Sequence, residues 1–181
     1  MPSANPLPPL ASLILLALVL TAAMFDLRFR RIPNWLTGAG IVLGLAANIF
    51  ERGIWPGLRF SLAGLCLALA IYMVLFALHA TGAGDGKLMA AIGGIAGWKH
   101  WVGIFIVTAI LGGIAALALS IWRRRLKKTL WNVGFVLSEM KRGRPAYLAN
   151  EELDVRSSKG LRLPHGAVIA AATLAYLALG R

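Results

Sequence analysis

Apolar runs recur along almost the whole chain, and they limit the possible folds more than any other feature of the sequence. Most of them approach the roughly 20 helical residues that cross the hydrocarbon core of a bilayer. Hydrophobic residues make up 59% of the chain and charged residues only 14%, whereas a typical soluble domain carries about 25% charged residues. The sequence therefore predicts an all-α integral membrane protein.

Six of these runs are predicted to be transmembrane helices. They extend approximately over Leu7–Phe25, Trp35–Phe50, Leu58–Ala80, Leu88–Trp98, Trp101–Trp122 and Leu163–Gly180. The fourth run is short and merges towards the fifth through Lys99 and His100. No Lys or Arg precedes the first run, so a cleaved signal peptide is not expected. We expect a single membrane-embedded domain over residues 1–181, with a basic loop at about 123–162.

Basic residues are unevenly distributed between the loops. The chain has 19 Lys and Arg against seven Asp and Glu. With six helices of alternating direction, fifteen of the 19 fall on one side of the membrane: Arg28, Arg30, Arg31, Lys87 and the eleven between 123 and 162. Basic loops face the cytoplasm, so both termini are expected outside. This pattern explains the net charge of +12 without a nucleic-acid partner, and it predicts contact of residues 122–128, WRRRLKK, with anionic lipid headgroups.

Two acidic residues stand apart from the other five. Asp26 ends the first apolar run and Asp85 opens the fourth, so both are predicted at the cytoplasmic boundary. Ionisable groups in membrane segments are costly to bury and often functional, although Asp is also a common helix cap. Because two such residues share one boundary, we favour the functional interpretation. The other five are assigned to loops, Glu51 to an outer loop and Glu139, Glu151, Glu152 and Asp154 to the long basic one.

A pair of neighbouring carboxyl groups can hydrolyse a peptide bond with water as the nucleophile. If the two groups are close, like-charge repulsion keeps one protonated while the other ionises. The ionised group takes a proton from water, and the protonated group polarises the scissile carbonyl. The pair titrates as a unit, so the base cannot be assigned to Asp26 or to Asp85 from the sequence.

Glycines surround Asp85 in the stretch TGAGDGK, residues 81–87. Gly82, Gly84 and Gly86 are expected to permit backbone angles closed to other residues, and to let a substrate strand or a helix approach Asp85. The pattern does not match a phosphate-binding loop or a dinucleotide fingerprint. Lys87 is interpreted as an interface anchor, with support of carboxylate ionisation as the alternative.

Other polar positions are interpreted structurally. Pro33 is expected to stop the first helix and Asn34 to cap the second, which would orient Asp26. Small-residue pairs, Gly40 with Gly44 and Gly93 with Gly97, are expected to be helix-packing contacts. The single cysteine excludes a disulfide, and the three histidines lack the spacing of metal ligands, so neither a metal nor a cofactor is predicted.

Three blocks of the sequence resemble the type IV prepilin peptidases, membrane aspartyl proteases of the GxGD kind. They are DLRFRRIPNWLT (26–37), GAGDGKLMAAIGGIAG (82–97) and GLRLPHGAVIAAA (160–172). The resemblance is to the short form associated with Flp pili, which lacks the methyltransferase portion of the long form. It implies a protein of the bacterial inner membrane that removes basic leader peptides from prepilins, after a glycine and at the cytoplasmic face. The pilus assembly machinery is a possible further partner.

The same resemblance implies roles for individual residues. Asp26 and Asp85 match the catalytic aspartates, and Gly82 and Gly84 match the glycines of GxGD. Pro164 and Gly166 match the element that opens the last helix. Between them, His165 stands where a larger aromatic residue is usual. The basic loop of about 40 residues that precedes this helix is also longer than expected.

These observations lead to the hypothesis of a membrane aspartyl endopeptidase that processes prepilin-like leaders. Two alternatives remain open from the sequence. A proton-coupled transporter or channel also uses membrane carboxylates, but such groups usually lie deeper in the bilayer and no two-half repeat is visible here. A non-catalytic scaffold for pilus assembly would require neither aspartate for chemistry.

Overall fold

A computed structural model of the chain describes residues 7–124 and 164–179, together with positions 127, 131, 134, 135 and 138. Most of the predicted basic loop at 123–162 therefore lies outside the described residues. The main helices are α1 Pro9–Phe29, α2 Asn34–Arg52, α3 Ile54–Ala77, α4 Ala83–Trp122 and α5 His165–Leu179. Within these described residues the protein is all-helical and has no strands, so the predicted fold class is confirmed there.

The 40-residue helix α4 is two antiparallel segments joined at Gly97. Gly97 has φ 71° and ψ 167°, a backbone conformation outside the helical region. The Trp101 indole N–H nevertheless donates a 3.0 Å hydrogen bond to the Met89 carbonyl oxygen. In a straight helix these two residues would lie about 18 Å apart, so the chain must reverse direction between them. The predicted fourth and fifth spans are these two segments, and a single left-handed residue separates them.

The end of the first α4 segment is capped by an asparagine of α2. A helix that breaks leaves its last carbonyl groups without amide partners. The Asn48 side-chain amide is fully buried and lies 3.2 Å from the Gly94 carbonyl oxygen and 3.0 Å from that of Ile95. It also lies 3.0 Å from the Ser61 hydroxyl of α3. Asn48 therefore ties α2 and α3 to the point where α4 turns back.

Helices α3 and α4 approach so closely that glycine is required where they cross. A Cβ atom on Gly64 would collide with the carbonyl oxygen of Gly93 and lie 2.8 Å from the Cα atom of Gly97. On α2, a Cβ atom on Gly40 would lie 3.0 Å from the Leu18 methyl groups, and one on Gly44 would collide with Ile95. The predicted packing role of the small-residue pairs is confirmed, and each pair packs on a neighbouring helix.

Successive helical segments alternate in direction through the bundle. At one end, the Leu10 N–H at the start of α1 donates to Glu51 Oε1 at the end of α2. The same end holds the α4 turn and the hydrogen bond, 3.1 Å long, between His100 Nδ1 and the Tyr176 hydroxyl of α5. The opposite end holds Asp26 and the start of α5. The sequence had predicted Glu51 in an outer loop. It instead lies in the last turn of α2, which continues to Arg52.

Among the described residues, three helices are long and apolar enough to cross a membrane: α1, α3 and α4. α5 is apolar but has only 15 residues. Exposed aromatic side chains lie at the helix ends, with Trp35 63% exposed at the start of α2 and Trp55 69% exposed at the start of α3. Tryptophan is enriched at membrane interfaces. The full count of six spans stays a prediction, although α4 supplies two of the six helical segments.

Candidate active site

Asp26 lies in the last turn of α1 and points into the bundle. Its side chain is only 8% exposed. α1 continues to Phe29, four residues beyond the predicted end of the apolar run, and stops where Arg30 takes the left-handed conformation with φ 51°. The expected helix stop at Pro33 is therefore wrong, because the chain has already left the helix and Pro33 is instead the N-cap of α2. Asp26 is a buried helix residue and not a solvated helix end.

The N-terminus of α5 packs directly against the Asp26 carboxyl group. The Ala167 N–H donates a 3.3 Å hydrogen bond to Asp26 Oδ2. A Cβ atom on Gly166 would lie 3.0 Å from both Asp26 Cβ and Oδ2. The unpaired N–H groups and the dipole at a helix N-terminus favour a carboxylate at this position. Pro164 immediately precedes α5, where its missing N–H costs no hydrogen bond.

Asp85 lies in the first turn of α4, whose N-cap is Gly82. Its carboxyl group accepts a hydrogen bond from the Gly82 backbone. This contact resembles one half of a capping box, in which an acidic side chain at the third helical position accepts a hydrogen bond from the N-cap backbone N–H. The capping role that the sequence left open for Asp85 is thus present. The side chain is also partly buried, so it differs from a solvated cap.

The glycines around Asp85 have ordinary backbone angles. Gly82 has φ −79°, and neither Gly84 nor Gly86 is among the described glycines with positive φ. The expectation of backbone angles closed to other residues is therefore wrong. Gly84 and Gly86 lie in the regular first turn of α4, and Gly82 is its N-cap. Their small size allows close packing, since a Cβ atom on Gly86 would lie 3.4 Å from Tyr72 Cβ and one on Gly84 would lie 3.7 Å from Ile32 Cβ.

The two aspartates and one histidine form an electrostatically linked group. The first turn of α4, which carries Asp85, lies against the segment that follows Asp26, because a Cβ atom on Gly84 would lie 3.7 Å from Ile32 Cβ. Asp26 and His165 both act electrostatically on Asp85. His165 is the first residue of α5, and the next two residues contact Asp26. α1, α4 and α5 therefore each contribute one titratable side chain to this end of the bundle.

The segment between α1 and α2 is fixed against the start of α4. The Lys87 ammonium group donates a 2.8 Å hydrogen bond to Asn34 Oδ1. Asn34 is the first residue of α2 and Pro33 is its N-cap, so the predicted capping role of Asn34 is wrong. Its amide oxygen holds Lys87 instead. Lys87 thereby joins the start of α4 to the segment that follows Asp26. The sequence had suggested an interface anchor or support of carboxylate ionisation for Lys87, and neither includes this contact.

Aromatic side chains line the inner side of the candidate site. Tyr72 of α3 is 4% exposed, and its ring packs edge-on against Trp101 and Phe105 at centroid distances of 6.5 and 6.1 Å. Trp101 and Phe105 stack at 5.2 Å. The Gly86 backbone lies over Tyr72. The side of the site formed by these rings is therefore apolar. Its polar side chains come from the ends of the helices.

Comparison with known proteins places this chain in a family. The family model described as "Type IV leader peptidase family" matches residues 13–117, more than half of the chain. The chain belongs to the type IV leader peptidase family. The match contains both Asp26 and Asp85, whereas α5 lies beyond it.

Curated relatives of this leader peptidase family carry the name "Prepilin leader peptidase/N-methyltransferase". One from Pectobacterium carotovorum subsp. carotovorum is 32% identical over 122 residues, which cover 62% of this chain and 41% of the relative. Another, from Burkholderia pseudomallei strain 1026b, is 28% identical over 125 residues, covering 65% and 40%. The chain thus spans about two fifths of the length of each of these relatives. No solved structure matches it.

Sequence reasoning missed two contributors to the candidate site. Ala167 acts through its backbone N–H, which carries no sequence signal. His165 did carry one, because it replaces the aromatic residue usual between Pro164 and Gly166. The position of the His165 ring, which faces Gly112, depends on the packing of α5 against α4.

Replacing Gly166 by Ala tests the fit between α5 and Asp26. The added methyl group is expected to displace the Asp26 carboxyl group by a few tenths of an ångström, and to lower leader cleavage by about 10- to 100-fold, with little loss of folded protein. Initial cleavage rates of purified variants measure this. Gly113→Ala is the matched control, because a Cβ atom there meets nothing within 4 Å. Equal rates for both variants would contradict the proposed contact.

Proposed function

We propose that this protein is a membrane aspartyl endopeptidase that removes leader peptides from prepilin-like proteins, with Asp26 and Asp85 as its catalytic residues. One observation carries the proposal. In a chain of the type IV leader peptidase family, the start of α5 holds the Asp26 carboxyl group and the helix turn that carries Asp85 packs on the segment that follows Asp26, although 59 positions separate the two aspartates. The names of the relatives support prepilins as the substrate class.

The proposed reaction is direct attack of water on the scissile peptide bond. The ionised carboxyl group takes a proton from water as the oxygen atom adds to the carbonyl carbon. The protonated carboxyl group donates a hydrogen bond to the carbonyl oxygen and stabilises the tetrahedral intermediate. A carboxyl group then passes a proton to the departing nitrogen as the C–N bond breaks. The reaction requires no covalent enzyme intermediate and no cofactor.

The orientation of the bundle supports cleavage at the cytoplasmic face. In the described residues, Arg28, Arg30, Arg31, Lys87 and Arg123 lie near the end that holds the two aspartates, whereas Arg52, Arg59 and Lys99 lie towards the other. The positive-inside rule then directs the aspartates towards the cytoplasm and both termini outwards. This arrangement fits a multi-pass protein of the bacterial inner membrane, with anionic lipid around its basic end.

Flp-type prepilins are the proposed substrates, cut after a glycine that precedes their apolar helix. The test is co-expression of the protein with such a prepilin, followed by intact-mass measurement of the pilin. The expected result is a pilin that has lost its leader, beside an unchanged mass with the Asp26→Asn/Asp85→Asn double variant. An unchanged mass with several prepilins, while the wild-type protein is folded in the membrane, would contradict the proposal.

A further inference from the structure

We propose that Lys87 and Asn34 are positioning residues, and that the hydrogen bond between them fixes where the first turn of α4 holds Asp85 relative to Asp26. This inference rests on the proposed function. The Lys87 ammonium group donates to Asn34 Oδ1 over a distance of 2.8 Å, and we call this contact the Lys87–Asn34 link. It joins the start of α4 to the first residue of α2, which follows α1 after a short connection.

A short, hydrogen-bonded stretch of backbone connects Asn34 to Asp26. At its start, the Arg30 N–H donates a 2.9 Å hydrogen bond to the Asp26 carbonyl oxygen. The ring of Pro33 then restricts the backbone, with φ at −65°. At its end, the Thr37 hydroxyl donates a 3.1 Å hydrogen bond to the Asn34 carbonyl oxygen. Asn34 is therefore a fixed point with a defined position relative to Asp26.

The Lys87 side of the link sets the rotation of α4 about its own axis. Lys87 and Asp85 are two positions apart in a regular helical turn, which places them about 200° apart around the axis. Side chains with this spacing do not face each other, so the link holds α4 from a side that Asp85 does not occupy. A rotation of α4 that moved Lys87 off Asn34 would turn the Asp85 carboxyl group through the same angle.

The packing of this turn resists such a rotation only weakly. Two further contacts of the turn are described, and both are made by glycines. A Cβ atom on Gly84 would lie 3.7 Å from Ile32 Cβ, and one on Gly86 would lie 3.4 Å from Tyr72 Cβ. Packed helices are held in register by side chains that interdigitate, and a glycine has none. The Lys87–Asn34 link therefore supplies a constraint that these contacts lack.

The exposure of the link separates its effect on cleavage from its effect on stability. Both side chains lie at the surface, where a polar contact adds little to the free energy of unfolding. Catalysis is more sensitive, because a misplacement of about 1 Å can lower the rate by about 100-fold. Loss of the link should therefore lower kcat while the melting temperature stays nearly the same.

The experiment measures kcat and KM for cleavage of a synthetic prepilin peptide by purified wild type, Asn34→Leu, Lys87→Met and the double variant. Leucine removes the acceptor and methionine removes the donor, with little change in side-chain size. We expect each single variant to lower kcat by about 10-fold and to keep KM within about twofold. The melting temperature should stay within about 2 °C of wild type. The double variant should lose no more than either single variant, because both substitutions remove one contact.

Three further variants complete the design. Asn34→Asp supplies an acceptor oxygen at the same place and should keep the wild-type kcat. Asn34→Ala replaces Asn34→Leu if that variant does not accumulate. Tyr176→Phe is the control, because it removes one partner of the hydrogen bond that joins α4 to α5 at the opposite end of the bundle. It should leave kcat and KM unchanged.

The outcomes separate the link from a direct effect of the lysine charge, which Asn34→Leu leaves in place. A wild-type kcat in Asn34→Leu, additive losses in the double variant, or a raised KM at unchanged kcat would overturn the link. A melting temperature lowered by more than about 5 °C in both single variants would also overturn it, because the contact would then hold the fold. A folded wild-type protein that cleaves no leader would overturn the proposed function itself.

Discussion

Replacement of Asp85 by Asn is expected to lower leader cleavage by at least about 1,000-fold, and Asp26→Asn to do the same. An amide matches the carboxyl group in shape, but it neither accepts the proton from water nor donates one to the departing nitrogen. Both variants should retain the fold, because an asparagine oxygen can still accept the Ala167 N–H or the Gly82 N–H that the carboxylates bind. Initial rates on a purified prepilin peptide measure the loss.

Glu51→Gln is the matched control for these substitutions. Glu51 is a partly buried carboxylate at the opposite end of the bundle, where its Oε1 atom accepts the Leu10 N–H. A glutamine oxygen can accept the same hydrogen bond, so this variant should cleave at close to the wild-type rate. Substantial activity in either aspartate variant, or an equal loss in Glu51→Gln, would remove the two aspartates from the mechanism.

Gly64→Ala is expected to have the largest effect on stability. The new methyl group would collide with the Gly93 carbonyl oxygen and lie 2.8 Å from Gly97 Cα, and neither backbone can move without separating α3 from α4. Overpacking of this kind costs about 3 kcal/mol of unfolding free energy at the upper end of its usual range. For a chain of this size, that corresponds to a loss of roughly 10 °C in melting temperature. Thermal unfolding of detergent-solubilised protein measures it.

The same substitution at Gly38 separates this clash from the general effect of losing a glycine. A Cβ atom on Gly38, in α2, meets nothing within 4 Å, and alanine has the higher helix propensity. Gly38→Ala should therefore melt at or slightly above the wild-type temperature. A similar melting temperature for Gly64→Ala and Gly38→Ala would show that the helices do not cross as closely as described.

Much of the fold follows from the hydropathy pattern, because an apolar run of bilayer length leaves few alternatives to a helix. The predicted pairs Gly40 with Gly44 and Gly93 with Gly97 did locate helix contacts, since small residues at helical spacing permit close approach. Helix ends were less predictable. The end of α1 depends on the left-handed conformation of Arg30, and nothing in the local sequence separates this from continued helix.

The candidate site was predictable in its acidic residues and less so in its surroundings. Asp26 and Asp85 stood out because so few acidic residues accompany so many apolar ones. Their partners come from distant sequence: Ala167 is 141 positions from Asp26. Asn34 looked like a helix cap, yet tertiary packing gave its amide oxygen to Lys87. Such contacts depend on which helices become neighbours, and hydropathy does not encode that choice.

The most direct test of the central claim is cleavage of a synthetic prepilin by the purified protein in liposomes, in water enriched in ¹⁸O. The measured quantity is the mass of both products. The account predicts a leaderless pilin and a leader whose new terminal carboxylate carries oxygen from the labelled water, with neither product formed by the Asp26→Asn/Asp85→Asn double variant. Formation of the same products by that folded double variant, or no products from folded wild type, would contradict it.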